Sequence, residues 1–378
     1  MKVRQAVLSG SQLNASDLAA RLASSPQLVL AFGSARLLQM HAASLRAAFP
    51  AAHWVGCSTA GEISNEGVAD DTLVITAVEF ASTTVRQSST VLQGMADSNA
   101  AGRRMAQSLP PDGLRAVMVF GQGVAINGSA MLAGMVEVLG PRMPITGGLA
   151  GDAGAFQKTW VLDDQGLSSD RLVCVGLYGQ ALNFSYGSFG GWAPFGPARK
   201  VTRCDHNVLY ELDGESALAV YKRYLGEHAK GLPASGLLFP FAMLGSDHHE
   251  VGLIRTILGV DEAQGSLTLA GEIDPNGYLR LMHASTDALV DGAETAAQAA
   301  CQGAGQPGDA LALLVSCVGR KLVMGGRVDE EVEAVADIVG KGTTLAGFYS
   351  YGEISPIAMT MDCKLHNQTM TITYLAEA

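Results

Sequence analysis

Two stretches far apart in the chain hold the residues best suited to chemistry, and they are spelled almost alike. Gly56-Cys-Ser-Thr-Ala-Gly-Glu-Ile and Gly347-Phe-Tyr-Ser-Tyr-Gly-Glu-Ile share a glycine, four residues, then Gly-Glu-Ile. A weaker copy, Ile-Thr-Gly-Gly-Leu-Ala-Gly-Asp, spans 145–152. A carboxylate placed directly after glycine can accept hydrogen bonds from nearby N–H groups or hold a cation, because glycine lets other backbone or a ligand approach closely. Two readings follow. The motif is a tight turn at a strand end, needed for packing. Alternatively, Cys57, Ser58, Thr59 and Glu62, with Tyr349, Ser350, Tyr351 and Glu353, line one ligand pocket, with the acids suited to an ammonium group and the hydroxyls to hydrogen bonding. Sites of this kind form where the strand ends of an α/β sheet diverge. A third use, Cys57 as a nucleophile, requires a base within reach, and only His53 lies near it in sequence.

Each copy sits in the same sequence context. An apolar run (27–33, 116–121, 311–318) comes first, then a helix-like segment, then the glycine motif, then another apolar run (72–80, 171–179, 369–375). Internal similarity on this scale constrains the whole chain, and it predicts one supersecondary unit used three times. The expected fold is mixed α/β, of the α+β kind. It has two domains built from repeated strand-helix-strand units with mixed and antiparallel sheets. Helices are expected at 16–25, 35–48, 93–108, 129–139, 215–225, 287–302 and 327–339. Alternation around Asp274-Pro-Asn-Gly predicts an antiparallel meander within 236–282. Gly121-Gln-Gly-Val-Ala-Ile-Asn-Gly lies between a strand and a helix, yet it lacks both the P-loop and the dinucleotide spacing.

Composition narrows the function classes. The 378 residues are 48% hydrophobic and 16% charged, with a net charge of −11. That is a folded chain with ample core, and it lacks the basic footprint that nucleic-acid binding needs. None of the six cysteines forms a C-x-x-C pair, so neither a zinc knuckle nor a redox motif is expected. There is no signal-peptide core, and no apolar run approaches the roughly 20 residues of a membrane span. The expectation is a cytoplasmic protein that is not an enzyme and has no nucleic-acid or membrane partner.

The chain resembles the FIST family of bacterial sensory proteins. The likeness rests on the two glycine motifs, on Gly191-Trp-Ala-Pro-Phe-Gly, on Asn207-Val-Leu-Tyr-Glu-Leu-Asp-Gly and on the closing Leu365-His-Asn-Gln-Thr-Met-Thr. It implies an N-terminal FIST domain over 1–190 and a C-terminal one over 191–378. It also implies a role in signal transduction through a small ligand, either an amino acid or, in one subset of the family, nitric oxide bound to haem. Such proteins work with a separate histidine kinase of a two-component system or a cyclic-di-GMP enzyme, and a homodimer is left open. A haem reading needs an axial ligand. Of the eight histidines, His366, in the closing signature, is the first candidate to hold the metal, followed by His283 and His249. Against each stands the plainer reading of a hydrogen-bonded structural histidine.

Overall fold

The computed structural model describes residues 1–10, 14–22, 25–302, 309–357 and 361–378. The fold is mixed α/β, as expected, and the three units predicted from the repeat are all present. The first contributes strands Lys2–Leu8, Leu28–Gly33, His53–Ser58 and Leu73–Glu79. The second contributes Thr84–Val91, Leu114–Gly121, Ile145–Leu149 and Arg171–Tyr178. The third contributes Leu182–Phe189, Ala310–Cys317, Thr343–Ser350 and Met370–Glu377. Within each sheet the second and third of these strands run parallel, and the last strand lies antiparallel between the first and second. The parallel strands read as unbroken apolar runs because both of their faces are covered.

Between its third and last strands each unit makes a short hairpin and gives it away. The hairpin Glu62–Ser64/Gly67–Ala69 of unit one extends the sheet of unit three, pairing Ile63 with Gly347. Val161–Asp163/Gly166–Ser168 of unit two extends unit one, pairing Leu162 with Gly56. Gly352–Pro356/Cys363–His366 of unit three extends unit two, pairing Ile354 with Gly147. The exchange is cyclic, which gives the molecule a pseudo-threefold plan.

This plan explains the leading glycine of each motif. A Cβ at Gly56, Gly347 or Gly147 would stand 1.8, 1.9 or 2.0 Å from the carbonyl oxygen of Ala31, Leu314 or Val119, its parallel neighbour in the same register. No side chain fits there. The plan also corrects the third copy. By register, Val161 occupies the place of Glu62 and Glu353, because extra residues after Gly151 push the hairpin further along the chain. Asp152 instead caps its own loop, accepting from the amides of Phe156, Gln157 and Lys158 at 2.8 Å each.

Two further features were not expected. A short helix, Val318–Met324, follows directly on strand Ala310–Cys317 where the apolar run hid the change of period. The third unit is also interrupted after its first strand. Residues 193–283 form a separate antiparallel sheet with helix Ala217–Leu225 packed on it, before helix Thr286–Cys301 resumes the unit. The predicted meander is part of this inserted sheet.

Candidate functional site

The three glycine corners converge. Ala60 N donates to Tyr349 O and Tyr349 N to Gly61 O, both at 2.8 Å. Ser58 Oγ donates to Gly151 O at 2.6 Å, and Tyr351 N to Leu149 O at 3.2 Å. They do not enclose a common chamber, because aromatic side chains fill the space between the sheets. Phe32 stacks on Phe348 with ring centroids 4.7 Å apart, and Phe120 lies 5.5 and 6.2 Å from these two.

The two acids serve the corners themselves. Glu62 accepts from the Thr59 hydroxyl on one oxygen and from Thr72 N (3.0 Å) and Oγ1 (2.8 Å) on the other. Glu353 repeats the arrangement with Ser350 Oγ (2.7 Å), Thr369 N (3.2 Å) and Thr369 Oγ1 (3.0 Å). Each carboxyl thereby ties its own corner to the start of the unit's last strand. Burial raises the pKa of both, that of Glu353 to about 8. In unit two an ion pair replaces this clasp: Arg171 reaches the buried Asp163 at 2.8 Å.

The remaining candidates at the corners are also engaged. Cys57 is fully buried, and burial pushes its thiol well above the usual range, as befits a core thiol. Tyr349 donates to Glu331 at 2.6 Å. Glu331 also holds Arg320 (2.8 Å) and Ser316 (2.9 Å) in a fully buried cluster. Tyr351 pairs with Asp152 and stacks on Phe156 with centroids 4.1 Å apart. Thr59 and Glu62 do border an open cleft of about 520 Å³ that also takes in Asp70 and Lys321. Lys321 spans it, donating to Ala60 O at 3.0 Å and to Asp70.

A second cleft gathers two of the quoted sequence motifs. It has a volume of about 370 Å³ and lies between the third unit and the inserted sheet. Phe189 and Trp192 wall one side, Met243, Ile254 and Met282 the other, and His366 and Thr369 are also in its wall. Gly191 makes the approach possible: its φ is +75°, and a Cβ there would meet the Ala288 carbonyl oxygen at 1.9 Å. Trp192 is fixed by its indole N–H, which donates to Gln368 O at 2.8 Å. The segments 190–197 and 365–371 thus meet across this cavity.

His366 is its one buried titratable group. Nε2 lies 2.9 Å from the Ser355 carbonyl oxygen. A carbonyl can only accept, so Nε2 carries the proton and Nδ1 keeps its lone pair. Burial first, and the Arg255 guanidinium second, lower its pKa to about 4, so the ring is neutral near pH 7. Arg255 is itself buried and is held by main-chain carbonyls, those of Glu272, Ile254 and Leu365, each at 3.1 Å. Burial lowers its pKa to about 10. The other two histidine candidates lie elsewhere. His283 is exposed and meets the edge of Phe195, while His249 is exposed and bonded to Asp247. Among the described residues no group of three or more His, Cys, Asp or Glu could hold a metal ion.

Arg255, Arg320 and Lys321 had not been singled out as sequence. Arg255 is a lone cation among apolar residues and Arg320 and Lys321 are neighbours in one apolar stretch, and nothing in their spacing signals burial.

Comparison with known proteins agrees with the motifs. The FIST N domain matches residues 27–215 and the FIST C domain residues 217–356. An uncharacterized protein of Mycobacterium tuberculosis, Rv0628c, is 27% identical over 236 residues, covering 59% of this chain and 60% of that protein. The chain therefore spans less than two thirds of this relative's length. An uncharacterized protein of Methanocaldococcus jannaschii, MJ1623, is 34% identical over 98 residues, 25% of this chain and 19% of its own. A crystal structure of cyanuric acid hydrolase from A. caulinodans aligns over 100% of this chain and 99% of its own, with a TM-score of 0.35 and 10% identity. No helix among the described residues is long and apolar enough to cross a membrane.

Proposed function

The chain belongs to the FIST family, with its FIST N and FIST C domains in tandem, and from that premise we propose that it senses a small ligand bound in the cleft beneath Trp192. One observation carries the reading. Two segments more than a hundred residues apart meet around a half-open, largely apolar cleft whose buried polar groups are a neutral histidine and Thr369. Such a cavity has the make-up of a small-molecule site, with apolar walls and few, fixed polar groups. Ligand binding would draw the inserted sheet and the third unit together. A separate histidine kinase or cyclic-di-GMP enzyme in the cytoplasm would read that shift.

Haem is the second reading, favoured by His366 alone. A metal-bound histidine usually donates its other ring N–H to a carbonyl or carboxylate, and His366 has that arrangement, with Nδ1 left to ligate. Haem would supply an iron that takes nitric oxide. The size and charge of the cavity oppose it. About 370 Å³ is near the floor for small-molecule sites, and the charged residue in the wall is Glu250, which would repel the haem carboxylates.

A thermal-shift screen with haem, amino acids and aromatic metabolites tests the sensor reading, because a ligand specific to the folded state raises the melting temperature by mass action. No stabilisation by any of them would end it. An absorbance titration separates the haem reading: bound ferrous haem gives a Soret band distinct from free haem, one that moves on adding nitric oxide and is lost in His366→Ala.

A further inference from the structure

Resting on the ligand-sensing reading, the polar end of the cleft also specifies what kind of molecule belongs there. We infer that it takes a neutral, planar aromatic molecule of one or two rings whose O–H or N–H donates to His366 Nδ1.

The tautomer comes first. The Ser355 carbonyl fixes the proton on Nε2, so His366 offers the cleft an acceptor and no donor. It is 3% exposed, and among the described residues the bond to Ser355 is the ring's one hydrogen bond. Nδ1 receives no donor from the described residues, and a ligand that supplies one adds a hydrogen bond there.

Charge then narrows the choice. An ammonium ligand at Nδ1 would be repelled by the buried Arg255 guanidinium, which lies against the carbonyls of Ile254 and Leu365 and, among the described residues, has no carboxylate bonded to it. A carboxylate ligand would be drawn by Arg255 but would set its own lone pairs against that of Nδ1, with the carboxylate of Glu250 also in the wall. Glu353, behind Thr369, holds its proton near pH 7 and adds little field. A weakly acidic O–H or ring N–H suits the site, since the nearby cation strengthens it as a donor. The walls add shape: the aromatic faces of Phe189 and Trp192 and the thioethers of Met243 and Met282 favour an aromatic body.

The test uses matched probes. Indole and phenol should stabilise the full chain in thermal-shift experiments and bind by calorimetry. N-methylindole and anisole, which lack the donor, should bind at least about tenfold more weakly. His366→Phe should abolish the difference within each pair. If that variant does not fold, Trp192→Leu serves: both members of a pair weaken while their ratio persists. Equal binding of indole and N-methylindole to the native chain overturns the donor assignment. Binding of haem alone, with no aromatic, overturns it too, but leaves the sensor reading standing. No binding by aromatics, haem or amino acids overturns both.

Discussion

Replacing Glu353 by glutamine should change how stability depends on pH, by an amount the structure sets. Glu353 is buried, and its pKa is raised from 4.5 to about 8. Between those values the folded state keeps a proton that the unfolded chain releases, so the carboxyl costs stability as pH rises. At about 1.4 kcal/mol per pH unit the full span of roughly 3.5 units comes to ~5 kcal/mol as an upper value. His366 works the other way. Its pKa is lowered from 6.5 to about 4, so the unfolded chain binds the extra proton and stability rises with pH through that window, by up to ~3 kcal/mol. The two slopes oppose each other from about pH 4.5 to 6.5, and the ligand-free native chain should be nearly level there before falling toward pH 8. Glu62, raised for the same reason as Glu353, adds to the fall. Glutamine can keep the shape of the clasp, with its oxygen toward Thr369 and its NH₂ toward Ser350. Urea unfolding followed by tryptophan fluorescence at half-unit steps from pH 4.5 to 8.5 gives both curves. Their difference isolates residue 353 and should shift by several kcal/mol in favour of the variant as pH rises. A difference flat to within about 1 kcal/mol would mean that the folded carboxyl ionises normally, and the buried-clasp account of the motif would be wrong.

Other perturbations follow from the same geometry. Glu331→Gln leaves Arg320 as a buried cation without a counter-charge and should cost about 3–5 kcal/mol in urea unfolding, whereas Asp70→Asn at the exposed end of the Lys321 pair should cost under about 1 kcal/mol. Gly347→Ala drives a methyl into the Leu314 carbonyl and should prevent or severely weaken folding; Gly113→Ala, with φ of +77° and open space around it, should lose only about 1–2 kcal/mol in the same assay. Alkylation by iodoacetamide followed by peptide mass spectrometry should modify the partly exposed Cys204 and Cys301 in the native chain and reach Cys57 only after unfolding. Fast native labelling of Cys57 would revive the nucleophile reading.

The threefold repeat was legible because its cause is local: a glycine with no room for a Cβ, a carboxyl that clasps the next strand and an apolar run before each leave marks in the letters themselves. The destination of the hairpins was not, since pairing Ile63 with Gly347 or Ile354 with Gly147 is a long-range choice. Nothing within Glu62–Ala69 says which sheet it will join. The third copy misled for a related reason. Gly151-Asp152 imitates Gly61-Glu62 in type, yet register and not spelling decides which residue takes the clasping position, and there it is Val161.

The same distinction separates the two halves of the candidate site. The glycine motifs looked like ligand machinery because they are polar and repeated, but repetition is what a threefold scaffold demands of its own corners. Their acids and hydroxyls are largely spent on one another. The cleft beneath Trp192 arises where the symmetry is broken, between the third unit and the sheet inserted into it, and among the described residues no counterpart of that sheet interrupts the first or second unit. His366 shows the consequence at one position. Its register equivalents are Ala69 and Ser168, paired opposite Glu62 and Val161 as His366 is opposite Glu353. The scaffold is satisfied by alanine or serine there, so the histidine answers to the cavity that the inserted sheet creates.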